Sequence, residues 1–159
     1  AGDEQLQAAV LAEVAIDPDG LLPDDFLDLL MTHCIEPQLP KLSLTVVYDF
    51  PASQCALARI RPGEVPVAER FELYLGSVEL ANGYHELTDA AEQSARFDND
   101  LRLRRQRGAS ALPKDQRLID ALESMPGCAG VAMGIDRLMM ALLDAEALAE
   151  VVAFDFSKA

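Results

Sequence analysis

Residues 128–143, CAGVAMGIDRLMMALL, form a short run of small residues that leads directly into an apolar segment at helical spacing. Gly130 and Gly134 have no Cβ, so the backbone can approach a ligand closely there. The helix is expected to begin at about Ile135, where unpaired amides and the helix dipole favour anions. Arg137 falls in the first turn, and its planar guanidinium suits a pair of phosphate oxygens. This pattern predicts a nucleotide-phosphate site, although a solvated arginine after a glycine turn fits it as well.

The composition predicts one domain with a sizeable core, because half of the 159 residues are hydrophobic. A net charge of −14, from 27 acidic and 13 basic residues, argues against broad docking on DNA or on an anionic membrane. Three cysteines are too few for a disulfide framework, and no Cys/His spacing resembles a zinc site. No apolar run is long enough to span a bilayer. A reducing cytoplasm is the expected location, with neither DNA nor membrane as a partner.

The order of the predicted elements indicates an α+β fold. Apolar spacing predicts helices over residues 3–15 and about 24–34. A run of β-branched and aromatic residues predicts a strand over 44–50, ended by Pro51, and Gly76 with Ser77 joins strands 70–75 and 78–87 as a hairpin. Downstream we expect a helix capped by Thr88 that ends near Gly108, helices over 114–125 and 144–149, and a last strand over 151–156. A mostly antiparallel sheet flanked by helices is therefore predicted.

The hairpin carries acids on one face. With a two-residue turn, Tyr74 pairs with Glu79 and Glu72 with Ala81, so both glutamates share a face. The opposite face is expected to be buried, and it holds Phe71, Leu73, Leu75, Val78 and Leu80. Two carboxylates beside a phosphate-binding arginine can hold Mg²⁺, a hard cation that takes carboxylate and phosphate oxygens together. A half-exposed hairpin with solvated acids fits the same pattern.

Strict alternation conflicts with the polar residues that follow. Asn82, Tyr84 and Glu86 occupy alternate positions that would fall on the apolar side, where unpaired polar groups are unfavourable. A β-bulge near Ala81, Asn82 and Gly83 would shift the phase and resolve the conflict. Asn82 and Glu86 would then join the upstream acids in one pocket that reads the two ends of an amino acid.

Two segments carry a family resemblance: FELYLGSVELANGYHELTDAAEQSARF at residues 71–97 and GVAMGIDRLMM at residues 130–140. Together they resemble the C-terminal half of the catalytic domain of class II lysyl-tRNA synthetases, with the arginine helix as motif three. The likeness is closer still to the paralogous branch that attaches β-lysine to a lysine of elongation factor P. FPASQ at 50–54, ELANGYHELTDA at 79–90 and GVAMGIDRL at 130–138 carry that closer likeness.

The resemblance implies a role for each matching position. Glu72 and Glu79 would hold Mg²⁺ and ATP, and Arg137, with Gly134 behind it, would bind the terminal phosphate of ATP. The amino-acid pocket would be formed by Asn82 on the carboxylate, Glu86 on the side-chain ammonium, and Tyr84, Gly130 and Ala132 as lining. Gly83 would be another position of close backbone approach. The implied reaction is attack of a carboxylate on the α-phosphate of ATP, which gives an aminoacyl adenylate and pyrophosphate.

Two departures from the synthetase pattern favour the paralogous branch. Ala132 stands where the synthetase typically has glycine, so a methyl group would enter the amino-acid pocket and disfavour α-lysine. PASQ at 51–54 replaces a segment that resembles PAEV in the synthetases. The implied function is transfer of (R)-β-lysine to elongation factor P; the alternatives are charging of tRNA(Lys) with lysine and a non-catalytic binding paralog. The last is disfavoured because the chain retains Glu72, Glu79, Asn82, Glu86 and Arg137 together.

Motif one and the motif-two arginine are not visible in the sequence. Residues 1–43 are expected to be a helical insertion or connecting segment, and residues 44–159 the C-terminal half of the catalytic domain. The chain is accordingly predicted to be part of a longer, homodimeric ligase and to be inactive by itself.

Overall fold

A computed structural model describes residues 3–110 and 112–155. The chain begins with helix α1, Asp3–Glu13, and helix α2, Pro23–Leu29. Helix α2 continues into a π-helical turn, Leu30–Ile35, and a 3₁₀ turn, Glu36–Gln38. We call residues 23–38 the helical cover. The two predicted N-terminal helices are confirmed, and buried Val10 and Phe26 join them to the core.

The centre of the fold is an antiparallel sheet. Its strands are β1, Leu44–Pro51; β2, Ile60–Arg61; β3, Val67–Leu75; β4, Val78–His85; and β5, Ala129–Met133. The order across the sheet is β1-β3-β4-β5, and short β2 also pairs with β3. Every pairing is antiparallel, which confirms the predicted sheet. Pro51 is the last residue of β1 rather than a residue outside it.

Three helices follow the hairpin in sequence. They are α3, Ala90–Gln106; α4, Gln116–Leu122; and α5, Ile135–Leu143. The predicted cap of α3 was wrong by one residue, since Asp89 accepts the Glu92 amide at 2.9 Å while Thr88 accepts a hydrogen bond from Arg59. Gly108 has a φ of +67°, just past the end of α3, as predicted.

The C-terminal predictions are only partly confirmed. A 3₁₀ turn, Leu148–Glu150, stands where residues 144–149 were expected to be helical. The last strand is a correction: residues 151–154 form turns and bends without strand pairing, and Phe156 lies outside the described residues. Alternating Val and Phe residues favour a strand locally, but a strand also needs a neighbour with free backbone groups.

One face of the sheet is packed against the helical cover, whereas the other is more exposed. The helical cover packs over β1 and β3 on the face that carries Glu72, where Ser53 and Gln54 donate hydrogen bonds to Asp24 and Asp28. On the opposite face, large apolar side chains remain exposed, among them Leu44, Val46, Tyr48, Val131 and Met133. Within the described residues, no helix is long and apolar enough to cross a membrane.

Candidate active site

A β-bulge in the hairpin gathers the polar residues. Tyr74 pairs with Glu79, as predicted, but Leu73 pairs with Ala81, so Leu80 is an extra residue on β4. The predicted bulge is confirmed, although it lies at Leu80 rather than near Ala81, Asn82 and Gly83. The predicted pairing of Glu72 with Ala81 was wrong for the same reason, because the extra residue moves Asn82 opposite Glu72.

Glu72 is buried, which does not fit the alternative of a half-exposed hairpin with solvated acids. Its residue surface is 8 % exposed and that of Tyr74 is 2 %. The predicted apolar face is less covered, since Phe71, Leu73 and Leu75 are half-buried and Val78 is exposed, although Leu80 is buried. The physical reason is the helical cover, which packs on the Glu72 face and removes it from water.

Two neighbours on the same strand hold the Glu72 carboxylate. Arg70 forms an ion pair with Oε1, and the Tyr74 hydroxyl donates to Oε2 at 2.6 Å. Burial, followed by the hydrogen bond with Glu72, raises the pKa of Tyr74, so the hydroxyl keeps the proton that it donates. Sequence reasoning missed both residues. The signal was present in RFELY at 70–74, where alternate residues place Arg70, Glu72 and Tyr74 on one strand face.

Glu79 connects the hairpin to the arginine helix. The Arg137 guanidinium donates to the Glu79 backbone oxygen at 2.9 Å and lies 3.8 Å from its carboxylate Oε2. On the other side, the Asn82 amide lies 3.4 Å from Glu79 Oε1. The Arg137 side chain is 57 % exposed. The predicted phosphate-binding arginine therefore meets the acidic hairpin with its guanidinium still open to solvent.

The start of α5 is held against the hairpin at the bulge. The Gly134 amide donates to the backbone oxygen of Leu80 at 2.9 Å, and Gly134 is the N-cap residue of α5. Arg137 stands in the first turn, as predicted. The bulge therefore has a second effect, since its extra residue, Leu80, anchors the N-cap of α5, the helix that carries Arg137.

Strand β5 brings the predicted amino-acid pocket together. Ala132 lies opposite Asn82, and Gly130 lies opposite Tyr84. A Cβ at Gly130 would overlap the carboxylate of Glu86, so Glu86 occupies the space above that glycine. Asn82, Tyr84, Glu86, Gly130 and Ala132 thus share the face that carries Glu72 and Glu79.

Gly83 faces the other way and has a different reason to be glycine. A Cβ there would lie 2.5 Å from Phe71 Cε1 and 2.8 Å from the backbone oxygen of Gly130. Gly83 therefore makes room for a phenylalanine ring in the sheet, rather than for a ligand on the polar face. A Cβ at Gly134 would meet Arg137 Cδ at 3.4 Å, an ordinary contact distance.

The oxygen donors on this face fit Mg²⁺ only in part. Within the described residues, no three His, Cys, Asp or Glu side chains are grouped as a metal site. Glu72 and Glu79 offer two carboxylates, and Mg²⁺ in nucleotide sites commonly takes one or two carboxylates with substrate phosphates and water. The donor set therefore fits a metal that arrives with a nucleotide better than a metal held by protein alone.

Residues 28–158 match the family described as tRNA synthetases class II (D, K and N). This match covers most of the chain and agrees with the antiparallel sheet and its flanking helices. The protein is a member of the class II tRNA synthetase family. Members of this class are ligases that activate amino acids with ATP and Mg²⁺, so the family supports an ATP-dependent ligase.

Proposed function

We propose that this chain forms the amino-acid side and part of the ATP side of a ligase that makes a β-lysyl adenylate in the cytoplasm and transfers (R)-β-lysine to elongation factor P. The observation that carries the proposal is that Glu72, Glu79, Asn82 and Glu86 lie on one sheet face around β4. Arg137 reaches this group from α5 through its hydrogen bond to Glu79. In this proposal the carboxylate of β-lysine attacks the α-phosphate of ATP and pyrophosphate leaves. The amine of the acceptor lysine then attacks the adenylate carbonyl, an amide forms, and AMP leaves.

Each residue has a role by position rather than by covalent chemistry. Arg137 would bind the terminal phosphate, and Glu72 and Glu79 would hold Mg²⁺, which neutralises phosphate charge when bound. Asn82 would orient the substrate carboxylate and Glu86 the ammonium at its far end. Tyr84 lies between them on the same face. Rate enhancement would come from orientation and charge stabilisation.

Ala132 supports β-lysine as the substrate. It lies opposite Asn82, so its methyl group projects beside the residue assigned to the substrate carboxylate. A glycine at this position would leave room for the α-amino group of α-lysine, whereas β-lysine carries that amine one carbon further along.

The acceptor is proposed to be a protein because the chain is strongly acidic. A net charge of −14 repels the phosphate backbone of tRNA and therefore disfavours a broad contact with RNA. The second candidate is a lysyl-tRNA synthetase, one of the three kinds of synthetase that the family description includes. An anticodon-binding barrel encoded ahead of this chain would support that second candidate and contradict the first.

The direct test measures adenylate formation by the longest natural protein that contains this chain. We expect (R)-β-lysine to be preferred over α-lysine, and Ala132→Gly to reduce that preference. Preference for α-lysine by the unsubstituted protein would refute the assigned substrate. The 159-residue chain alone is predicted to give no ATP–pyrophosphate exchange, and exchange near the rate of the longer protein would contradict that prediction.

A further inference from the structure

Among the charged side chains of the candidate site, the Glu72 carboxylate is the most buried. Only about a tenth of its side chain is exposed, and Arg70 beside it is 19 % exposed. Both oxygens are engaged, one by Arg70 and the other by Tyr74. A carboxylate removed from water in this way needs a cation or several donors to remain ionised, and Arg70 supplies the positive charge.

Arg70 is itself fixed from several sides. Its guanidinium carbon lies 4.4 Å from the centre of the Phe50 ring, and Nη1 donates to the Gln54 backbone oxygen at 3.2 Å. Nη2 contacts Glu72, while the buried Nε has no hydrogen-bond partner among the described residues. The guanidinium is therefore held toward Glu72 although this leaves one donor unsatisfied, an arrangement that is unfavourable unless the ion pair compensates.

The ion pair occupies the oxygen that a metal would need. Glu72 is one of two carboxylates available to Mg²⁺ on this face, and Glu79 alone is a weak site for a strongly hydrated cation. With Arg70 bound to Oε1, the positive charge of a metal would be added beside an existing guanidinium.

We propose that Arg70 is a positioning residue that acts as the built-in counter-cation of Glu72 and keeps free Mg²⁺ out of the site. This inference rests on the proposed role of Glu72 as a Mg²⁺ ligand, and it adds that the site excludes free Mg²⁺. The site is neutralised and ordered without metal, and it accepts Mg²⁺ only when nucleotide phosphates contribute further ligands and negative charge. The ligand selected is thus a metal–nucleotide complex rather than the free metal.

The test is a Mg²⁺ titration of the 159-residue chain without nucleotide, with the melting temperature as the readout and ionic strength held constant with NaCl. We expect no Mg²⁺-specific shift for the unsubstituted chain. Arg70→Met is expected to melt lower without metal and to gain about 4 °C or more at about 20 mM Mg²⁺, because the released carboxylate now binds the cation. Arg70→Lys, which retains the charge, is expected to behave like the unsubstituted chain.

Three further variants make the result specific. Arg70→Met combined with Glu72→Gln should lose the Mg²⁺ response. Arg61→Met removes an exposed arginine that pairs with Asp49 on the same sheet, and it should gain no response. Arg70→Gln, which keeps a donor for the Gln54 carbonyl, provides the same comparison if the methionine variant is unfolded without metal.

Several outcomes would overturn the inference. The first is a Mg²⁺-dependent rise in melting temperature for the unsubstituted chain as large as for Arg70→Met. The second is a rise that persists when Glu72→Gln is combined with Arg70→Met. The third is the absence of any rise in both Arg70→Met and Arg70→Gln. Because the readout needs neither ATP nor catalysis, this result is separate from the proposed function. A Glu72-dependent response with no adenylate formation by the longer protein would leave the inference standing and refute only the function.

Discussion

Glu72 on β3 lies directly opposite Asn82 on β4, although both simple alternation and the turn geometry place Glu72 opposite Ala81. The extra residue, Leu80, accounts for the difference, since it shifts the pleat by one position between Glu79 and Ala81. The consequence is a single face on which the polar residues of β3 and β4 lie beside Gly130 and Ala132 of β5. Without the bulge, Asn82 would point toward the apolar face.

Substitution of the two sheet glycines should separate folding from recognition. Gly83→Ala places a methyl group against the Phe71 ring and a backbone oxygen, so we expect a loss of about 1–3 kcal/mol in the free energy of unfolding from overpacking. Gly130→Ala meets the flexible end of Glu86 instead, so the fold should tolerate it while Glu86 is displaced. Denaturant unfolding and amino-acid affinity in the adenylate-forming protein measure the two effects. Equal unfolding losses with unchanged affinity for Gly130→Ala would contradict the assignment of Glu86.

Arg137→Ala should affect nucleotide binding rather than stability. The side chain is more than half exposed, and it makes one hydrogen bond to the Glu79 backbone. We expect the unfolding free energy to change by no more than about 0.5 kcal/mol, as for most surface substitutions. In pyrophosphate exchange by the longer, adenylate-forming protein, the KM for ATP should rise at least about tenfold, the effect of about 1.4 kcal/mol of lost phosphate binding. Arg117→Ala on α4 is the matched control, and an equal rise in KM there would show that the effect is not specific to Arg137.

Tyr74→Phe should destabilise the chain through Glu72. The substitution removes the hydroxyl that donates to Glu72 at 2.6 Å and leaves the ring in place. A hydrogen bond to a charged group contributes about 1.5–3 kcal/mol, so a loss of that order is expected in urea unfolding. Tyr48→Phe is the control, because Tyr48 is 70 % exposed. Comparable losses for the two substitutions would argue against a specific role for the Tyr74 hydroxyl.

Asp28→Asn should stabilise the protein in a pH-dependent way. Burial raises the pKa of Asp28, and the neighbouring carboxylates Asp24 and Asp25 raise it further. A carboxyl with a raised pKa binds its proton more tightly in the folded chain, so its ionised form opposes folding at neutral pH. The asparagine variant should therefore be the more stable protein at pH 7. Its advantage should shrink as the pH falls through the raised pKa toward the ordinary value of 3.8.

Urea unfolding across this pH range measures the effect of Asp28→Asn. Asp120→Asn provides the comparison, because Asp120 accepts a side-chain hydrogen bond from Gln116 as Asp28 does from Gln54. An advantage for Asp28→Asn that grows as the pH falls would mean that the sign of the Asp28 contribution is opposite to the one inferred here.

The local features of this protein can be predicted from its sequence alone. A two-residue turn at Gly76 and Ser77, a glycine before an apolar helix, and alternation along β3 are properties of neighbouring residues. They were enough to predict the antiparallel hairpin, the first-turn position of Arg137, and the shared face of Glu72 and Glu79.

The location of the bulge and the choice of the buried face depend on tertiary contacts instead. The position of a bulge depends on the hydrogen bonds that β4 makes with its neighbours. Besides β3, these are β5 and the start of α5, which lie far downstream of β4 in the sequence. Burial of Glu72 depends on the helical cover at residues 23–38, more than thirty residues upstream. Beneath that cover, Arg70 and Tyr74, to which the sequence assigned no role, are the two partners of the Glu72 carboxylate. A local pattern specifies which side chains share a face, whereas the cost of burying their charges is determined by what packs on that face.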